Sequence, residues 1–161
     1  MINLKTEIQS LIGEKVTFKR IITNSIILYF KGNPGDSVVK SIWIDPAWRY
    51  EKSNKYVISS YDFPKEKGSN ESEKKYEKRF NAICAKTNKL TNSRILSIQF
   101  DNVTNDICIN FNNKQSLKTW ASSSTDTMWT YRNMKKFLRI IGACNEITSK
   151  EIRKGTEKRE K

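Results

Sequence analysis

Short runs rich in apolar residues, some of them alternating with polar residues, cover much of the chain, and turn residues separate them. In the first half the runs lie at 16–22, 26–30, 38–44 and 56–61, and in the second half at 95–100, 107–111 and 115–120. Alternation with a period of two is typical of strands that bury one face. Turn residues such as Asn33-Pro34-Gly35-Asp36 favour reversal of the chain between runs. The pattern therefore predicts antiparallel β-meanders.

Three stretches instead have apolar residues at helical spacing, at 4–12, 71–86 and 126–141. Asn3 stands where an N-cap is needed, and Gly13 and Gly142 stand where helices commonly stop. Strands in meanders combined with helices of this length indicate an α+β fold. We predict antiparallel β-meanders with packed helices.

Two parts of the chain, 11–60 and 90–132, resemble each other. The matching segments are Ile26-x-Leu28-x-Phe30 with Ile107-x-Ile109-x-Phe111, and Trp48-Arg49-Tyr50 with Trp129-Thr130-Tyr131-Arg132. Duplication of a unit made of a β-hairpin and a helix would produce this pattern. The alternative explanation is that any two β-hairpins resemble each other. We predict a single domain over 1–147, followed by a charged tail over 148–161 that frays.

The chain is strongly basic, since 30 Lys and Arg against 17 Asp and Glu give a formal net charge of +13. This excess is spread along the chain, and its field favours acidic partners of any kind. No apolar run is long enough for a transmembrane helix, so we expect no membrane partner. Cys84, Cys108 and Cys144 are odd in number and far apart, which favours a reducing, cytoplasmic location.

The residues that most enzymes use are few or missing. The chain has no histidine, which removes the commonest general base and metal ligand. It has no glycine-rich phosphate loop, and its cysteines lack the spacing of zinc ligands. Asp45 and Asp126 have simpler roles as turn and cap residues. We therefore predict a binding protein that is not an enzyme and uses no cofactor and no metal.

The predicted helix at 126–141 carries the clearest candidate binding surface. Arg132, Lys135, Lys136 and Arg139 stand at i, i+3, i+4 and i+7, so on a helix they would form one cationic arc. Phosphates or carboxylates would bind such an arc. The alternative interpretation is a solvated helix face without a partner.

Aromatic residues next to cations form the second candidate surface. These residues are Trp48 with Arg49, and Trp129 with Tyr131 and Arg132. When exposed, such side chains stack on bases or anchor protein interfaces. The alternative interpretation is that they seal the corners of a small sheet. Neither the partner nor the oligomeric state follows from these residues.

The alternating stretch Ile107 to Asn112, the strand that ends on Trp120 and the Trp-x-Tyr segment at Trp129 resemble small bacterial immunity proteins of polymorphic toxin systems. This resemblance implies a protein that neutralises a toxin by direct binding and needs no catalytic groups. Many such proteins are acidic, whereas this chain is basic, so its partner should present an acidic surface. The alternative function is nucleic-acid binding through a basic helix face and exposed aromatics.

Overall fold

The computed structural model describes residues 3–32, 34, 36, 39–64, 67–121, 127–136, 138–143 and 146–152, with the exception of the Lys31 side chain. These residues form two α-helices, eleven strands and three short 3₁₀ turns. In chain order they are α1 (Leu4–Gln9), β1 (Phe18–Ile22), β2 (Ser25–Lys31), β3 (Lys40–Ile44), β4 (Trp48–Lys52), β5 (Lys55–Ser59), a turn at Ser60–Asp62, α2 (Glu73–Ala85), a turn at Asn88–Leu90, β6 (Ile95–Phe100), β7 (Ile107–Phe111), β8 (Gln115–Thr119), β9 (Thr127–Asn133), a turn at Met134–Lys136, β10 (Leu138–Ala143) and β11 (Glu146–Glu151).

The strands form two antiparallel sheets, which confirms the predicted α+β fold with antiparallel strands. One sheet has six strands in the order β1-β2-β3-β9-β10-β11, and the other has five in the order β5-β4-β8-β7-β6. Each strand turns alternate residues toward one shared core. The apolar side chains of that core come from both sheets and include Leu28, Ile42, Tyr131, Ile109 and Leu117.

The two helices lie beside the sheets and extend this core. Asn3 caps α1 by accepting a hydrogen bond from the Thr6 amide at 3.2 Å, as the sequence predicts. Ile8 of α1 is fully buried. In α2, the apolar stripe predicted from the helical spacing packs Phe80, Ile83 and Cys84 against the core.

The two halves of the chain exchange strands between the sheets. β1, β2 and β3 from the first half are completed by β9 and β10 from the second half. Conversely, β6, β7 and β8 are completed by β4 and β5 from the first half. Each sheet therefore contains strands of both halves, and the two sheets have the same connectivity apart from the additional strand β11.

Equivalent contacts recur in the two halves. Trp48 Nε1 donates to the carbonyl of Asn24 at 2.7 Å, and Trp129 Nε1 donates to the carbonyl of Asn105 at 3.0 Å. The neighbouring tyrosines correspond in the same way, since Tyr50 lies opposite Leu117 and Tyr131 lies opposite Ile42. The segments that look alike in sequence thus occupy matching positions in the fold.

The halves meet at an antiparallel bridge between Lys15 and Arg94. Four backbone hydrogen bonds surround it as two matched pairs: Val16 N to Ser93 O (2.8 Å) with Ile95 N to Glu14 O (3.0 Å), and Gly13 N to Ile95 O (2.9 Å) with Asn92 N to Val16 O (2.8 Å). Such pairing is expected at a local two-fold axis. Descent of both halves from one duplicated segment stays a prediction.

The helix predicted at 126–141 is wrong. In its place are β9, the turn Met134–Lys136 and β10. Four of the five residues at 127–131 are aromatic or β-branched and favour a strand. Pairing with β3 then buries Trp129 and Tyr131 on one face. A helix would have separated these two side chains by about 200°.

Two other elements differ from the predicted ones. β4 was not predicted, although Trp48 and Tyr50 alternate inward with Arg49 between them. The tail predicted at 148–161 begins inside β11, which pairs along the whole length of β10. Residues 153–161, most of the predicted turn at 33–36, and Cys144 lie outside the described residues.

Candidate functional site

The four cations of the predicted helical arc lie on different elements. Arg132 on β9 and Arg139 on β10 are direct cross-strand partners. Lys135 and Lys136 lie in the 3₁₀ turn that joins these two strands. No single helical arc exists, because this segment is a strand hairpin. The hairpin nevertheless brings Arg132 and Arg139 together.

Lys136 belongs to a network around a buried carboxylate. Its Nζ donates to Glu7 Oε2 at 2.6 Å, while Tyr131 and Asn133 donate to Glu7 Oε1 at 3.2 and 3.0 Å. Burial by itself raises the pKa of the Glu7 carboxyl, but the hydrogen bonds from Lys136 and Asn133 outweigh burial and hold that pKa below its usual value. Lys136 therefore helps to fix α1 on β9.

Three of the predicted aromatic contact residues lie in the core. Trp48, Trp129 and Tyr131 each have 0% exposure. They cannot touch a partner in this structure, so the prediction that they form a binding surface is wrong. The alternative interpretation is that these aromatics pack at the corners of the sheets. Their burial and the hydrogen bonds from both tryptophans to backbone carbonyls fit this interpretation.

Arg49 lies on the outer face of the five-stranded sheet and has a local counter-charge. Its Nε is 2.8 Å from Glu51 Oε1, and Lys118 Nζ is 2.6 Å from Glu51 Oε2. The hydrogen bond from Lys118 lowers the pKa of the Glu51 carboxyl. One carboxylate thus serves two cations on this face. The aromatic ring beside Arg49 is that of Trp120, at 6.0 Å.

The outer face of the six-stranded sheet has a different character. Two neighbouring cross-strand rows make up this surface, which we call the basic face. The first row is Phe18, Tyr29, Ser41, Arg132, Arg139 and Lys150, and the second is Arg20, Ile27, Trp43, Thr130, Ile141 and Thr148. Among the described residues, these rows contain four cations and no carboxylate.

Aromatic rings occupy one side of the basic face, over β1, β2 and β3. The rings of Phe18 and Tyr29 are 5.7 Å apart, and Phe18 is 40% exposed. Trp43 Nε1 donates to Asp45 Oδ1 at 2.8 Å, which fixes the indole. Burial raises the pKa of the Tyr29 hydroxyl, and the charges of Arg20 and Arg132 oppose that rise. These two guanidinium groups therefore lie near the Tyr29 ring.

Cations occupy the other side of the basic face, over β9, β10 and β11. Arg139 stands between Arg132 and Lys150 in the register. Its Nε is buried and has no hydrogen-bond partner within the described part of the chain. A buried unpaired N–H is costly, but an acceptor from outside cannot reach this nitrogen unless the side chain moves.

Phe18, Arg20, Tyr29, Trp43 and Lys150 were not predicted as site residues. Tyr29 and Trp43 alternate with core residues along their strands, which is a property that the sequence shows. The register that joins them could not be read from the sequence because β3 pairs with β9, which lies far along the chain. Sequence periodicity identifies outward positions within a strand and leaves the strand order open.

No group of three or more Cys, Asp or Glu side chains is placed to hold a metal ion within the described ranges. Among those ranges, no helix has the length and apolar character required to cross a membrane. The basic face can donate hydrogen bonds to anions and offer aromatic rings to apolar groups. Comparison of the chain with protein-family models, curated proteins and solved structures finds no match.

Proposed function

We propose that this protein is a non-catalytic binding protein of the immunity type, which neutralises an acidic-surfaced protein partner such as a toxin through its basic face. The observation that carries this proposal is the combination of four cations and three aromatic rings on one sheet surface. Aromatic and arginine side chains dominate the energetics of many protein interfaces. Complementary charge would speed the encounter with an acidic partner.

The other sheet is an internal comparison that supports the proposal. Ser41 faces Arg132 in one sheet, and the corresponding Ser116 faces Glu51 in the other. Where the six-stranded sheet has Phe18 and Tyr29, the five-stranded sheet has the polar Ser97 and Asn110. The same framework therefore forms without these aromatics and with a carboxylate in place of Arg132. The shared framework therefore does not require the composition of the basic face.

The basic face would form the centre of a protein interface and not the whole of it. Six strands about 4.8 Å apart span roughly 24 Å, and the two rows lie about 7 Å apart along the strands. An interface of ordinary size covers about 800 Å² on each partner, a patch with sides of roughly 28 Å. Surface around the basic face would therefore have to supply much of such a contact.

One observation favours nucleic-acid binding as a second candidate function. The adjacent rings of Phe18 and Tyr29 lie beside Arg20, which pairs with Ile27 next to Tyr29. Stacking on aromatic rings beside cations is the usual way in which proteins hold single-stranded nucleic acid. Salt separates the two functions, because binding through many phosphates weakens steeply with rising salt.

The proposal is tested first by what co-purifies with the full chain from its host at about 50 mM and 200 mM salt, a range over which phosphate contacts weaken strongly. We expect one acidic protein at equal stoichiometry in both conditions, and this protein should inhibit that partner's toxicity when the two are expressed together. Nucleic acid bound at the lower salt and absent at the higher salt would replace the proposal with the second function.

A pair of matched variants tests whether the basic face is the contact surface. Arg20→Gln with Arg132→Gln removes two charges from the basic face, and Arg49→Gln with Lys118→Gln removes two from the other sheet. Because both variants have the same net charge, only position distinguishes them. We expect the first to weaken partner binding at least about tenfold, as loss of charged contacts does, and the second to change it less than about twofold. Equal effects would contradict the assignment of the face.

A further inference from the structure

A pocket with apolar walls lies where the turn between β1 and β2 meets the chain that follows β5. Its volume is about 310 Å³, and its lining residues are Thr23, Asn24, Ser60, Tyr61, Phe63 and Pro64. Phe63 is 5% exposed, and its ring centroid lies 6.0 Å from that of Trp48 in the core. Tyr61, in contrast, is 61% exposed. The pocket therefore has one aromatic wall fixed in the core and another that faces solvent.

The second half of the chain closes the equivalent position with a hydrogen bond. Asn24 corresponds to Asn105, because their carbonyls accept from Trp48 and Trp129. The register makes Tyr61 the counterpart of Ala143, since Ser59 and Ile141 lie opposite the residues that follow the two tryptophans. Asn105 Nδ2 donates to the carbonyl of Ala143 at 3.3 Å. In the first half, β5 ends at Ser59 and a 3₁₀ turn follows, which leaves the pocket at this position.

The Asn24 side chain has a donor that the described part of the chain does not use. Its Oδ1 lies 3.5 Å from Thr23 Oγ1. No described residue accepts a hydrogen bond from Asn24 Nδ2, and this nitrogen is accessible to solvent. An outside carbonyl can therefore reach it without movement of the fold. The pocket combines this donor with apolar walls, which is the usual composition of a specific binding pocket.

The pocket continues the basic face along two of its strands. Arg20 stands three residues before Thr23 on β1, roughly 10 Å away at about 3.3 Å per residue. Ser25 follows Asn24 and donates to Asp45 Oδ1 at 2.9 Å, and the same oxygen accepts from Trp43 Nε1 at 2.8 Å. These bonds fix the turn to the strands of the basic face. A protein interface with sides of roughly 28 Å that is centred on the basic face includes the pocket.

The volume and the walls of the pocket indicate the kind of group that fits it. Pockets for whole small molecules have volumes of about 300–1,000 Å³, so this pocket is at the lower limit and suits a single side chain. Aromatic rings pack well against the rings of Tyr61 and Phe63. Buried aromatic anchors of this kind dominate the energetics of many protein interfaces.

We infer that this pocket receives an aromatic side chain of the acidic protein partner, whose main-chain carbonyl accepts a hydrogen bond from Asn24 Nδ2. This inference rests on the proposed function and deepens it, because it names an anchor contact beside the charged surface. Charge complementarity supports the same partner, since an acidic residue close to the anchor would meet Arg20 on β1. The partner segment is thus an aromatic residue with a carboxylate roughly 10 Å from it, the distance between the pocket and Arg20.

The pocket can be tested on the isolated full-length protein by NMR of the Asn24 side-chain amide and the Tyr61 backbone amide. N-acetyl-phenylalaninamide, N-acetyl-alaninamide and uridine are titrated separately. We expect both resonances to shift with the phenylalanine probe, which should bind at least about tenfold more tightly than the alanine probe because its ring is buried. Absence of a shift at both resonances, or equal binding of these two probes, would overturn the inference. Tighter binding of uridine would assign the pocket to a nucleic-acid base and would also overturn it.

Variants separate the pocket from general apolar attraction. Tyr61→Ala removes the exposed wall and should weaken binding of the phenylalanine probe about tenfold. Asn24→Ala retains the carbonyl that Trp48 needs and should weaken binding about threefold to tenfold through loss of one hydrogen bond. Leu96→Ala is the control, because Leu96 on β6 is 58% exposed, and it should change binding less than about twofold. If Leu96→Ala weakens binding as much as Tyr61→Ala does, the inference fails.

Failure of the inference can be distinguished from failure of the proposed function. Partner capture that survives Tyr61→Ala and Asn24→Ala but is lost when Arg20 and Arg132 are neutralised would retain the basic face as an interface and overturn the inference. Tight binding of the phenylalanine probe at Asn24 and Tyr61, in a protein that captures no acidic protein from its host, would retain the pocket and reject the immunity-type function.

Discussion

Removal of the Glu7 carboxylate should destabilise the protein more than removal of any exposed carboxylate. Glu7 is 8% exposed and accepts hydrogen bonds from Tyr131, Asn133 and Lys136. These contacts join α1, near the start of the chain, to β9 and the turn after it. Glu7→Ala leaves two buried donors, the Tyr131 hydroxyl and the Asn133 amide, without this acceptor.

The expected cost follows from the burial of each donor. A buried donor that loses its acceptor costs about 1–3 kcal/mol, and Tyr131 and Asn133 are 0% and 2% exposed. The Lys136 side chain is 58% exposed, so water replaces its partner and its share is about 1 kcal/mol or less. The two buried donors together therefore cost about 2–6 kcal/mol. Because water can also enter beside Lys136, we expect the free energy of unfolding to fall by about 3 kcal/mol, in the lower part of that range. This corresponds to a Tm lower by roughly 6–12 °C for a chain of this size.

Urea denaturation of Glu7→Ala and of the wild type measures this cost directly. Glu14→Gln is the control, because the Glu14 carboxylate is 3.7 Å from Lys40 Nζ and its side chain is 26% exposed, compared with 7% for Glu7. The control should lose less than about 1 kcal/mol. A loss below about 1 kcal/mol for Glu7→Ala, with an unchanged dependence on urea, would refute the argument that the network fixes α1 on β9.

The pKa of the Glu7 carboxyl determines how part of the free energy of unfolding depends on pH. The pKa of Glu7 is lower in the folded protein than its usual value. Its contribution is therefore complete above the unfolded pKa, near pH 4, and declines as pH falls through the folded pKa. The difference in unfolding free energy between wild type and Glu7→Ala should shrink between about pH 5 and pH 2. A difference that stays constant over this range would contradict a charged Glu7.

Two further predictions test the packing around Trp129. A Cβ atom added at Gly142 would lie 2.0 Å from Trp129 Cε2, whereas one at Gly68 would meet nothing closer than 3.6 Å. We therefore expect Gly142→Ala to lower the free energy of unfolding by about 3 kcal/mol or more, and Gly68→Ala to lower it by less than about 0.5 kcal/mol. Equal melting temperatures for the two variants would contradict this. Trp48→Phe and Trp129→Phe remove equivalent carbonyl contacts and should each cost about 2–3 kcal/mol, within about 1 kcal/mol of each other in urea denaturation. A much larger gap between them would count against the equivalence of the two halves.

The predictable parts of the fold are those that short-range patterns determine. The helix α1 and its Asn3 cap follow from apolar spacing and local hydrogen bonding. The strands β2, β6 and β7 follow from alternation within a few residues. In contrast, the segment at 126–141 fits a helical arrangement of cations as well as a strand arrangement of aromatics. Pairing with β3 decides between them, because it buries Trp129 against Ile44, and a contact over that distance in sequence is invisible to local periodicity.

The candidate site was predictable only in part, for the same reason. The sequence predicts that Arg132 and Arg139 belong to a helical arc, whereas the structure brings them together by cross-strand pairing. Tyr29 and Trp43 lie on strands that the sequence predicts, yet their position beside these arginines depends on insertion of β9 next to β3. The sequence indicates Trp48 and Trp129 as contact residues only through their residue type, and in the structure both side chains are buried and pack in the core.

The internal equivalence of the two halves separates the requirements of folding from those of binding. Residues that both halves share at matching positions, such as Trp48 with Trp129 and Tyr50 with Tyr131, are buried, so the framework accounts for them. Residues that differ at matching outward positions, such as Glu51 and Arg132, are not required by the shared framework. One sheet uses this freedom to neutralise its own cations, and the other gathers cations and aromatic rings on one surface. The shared framework does not account for a surface that departs in this way from its counterpart within the same chain, and the proposed acidic partner would account for it.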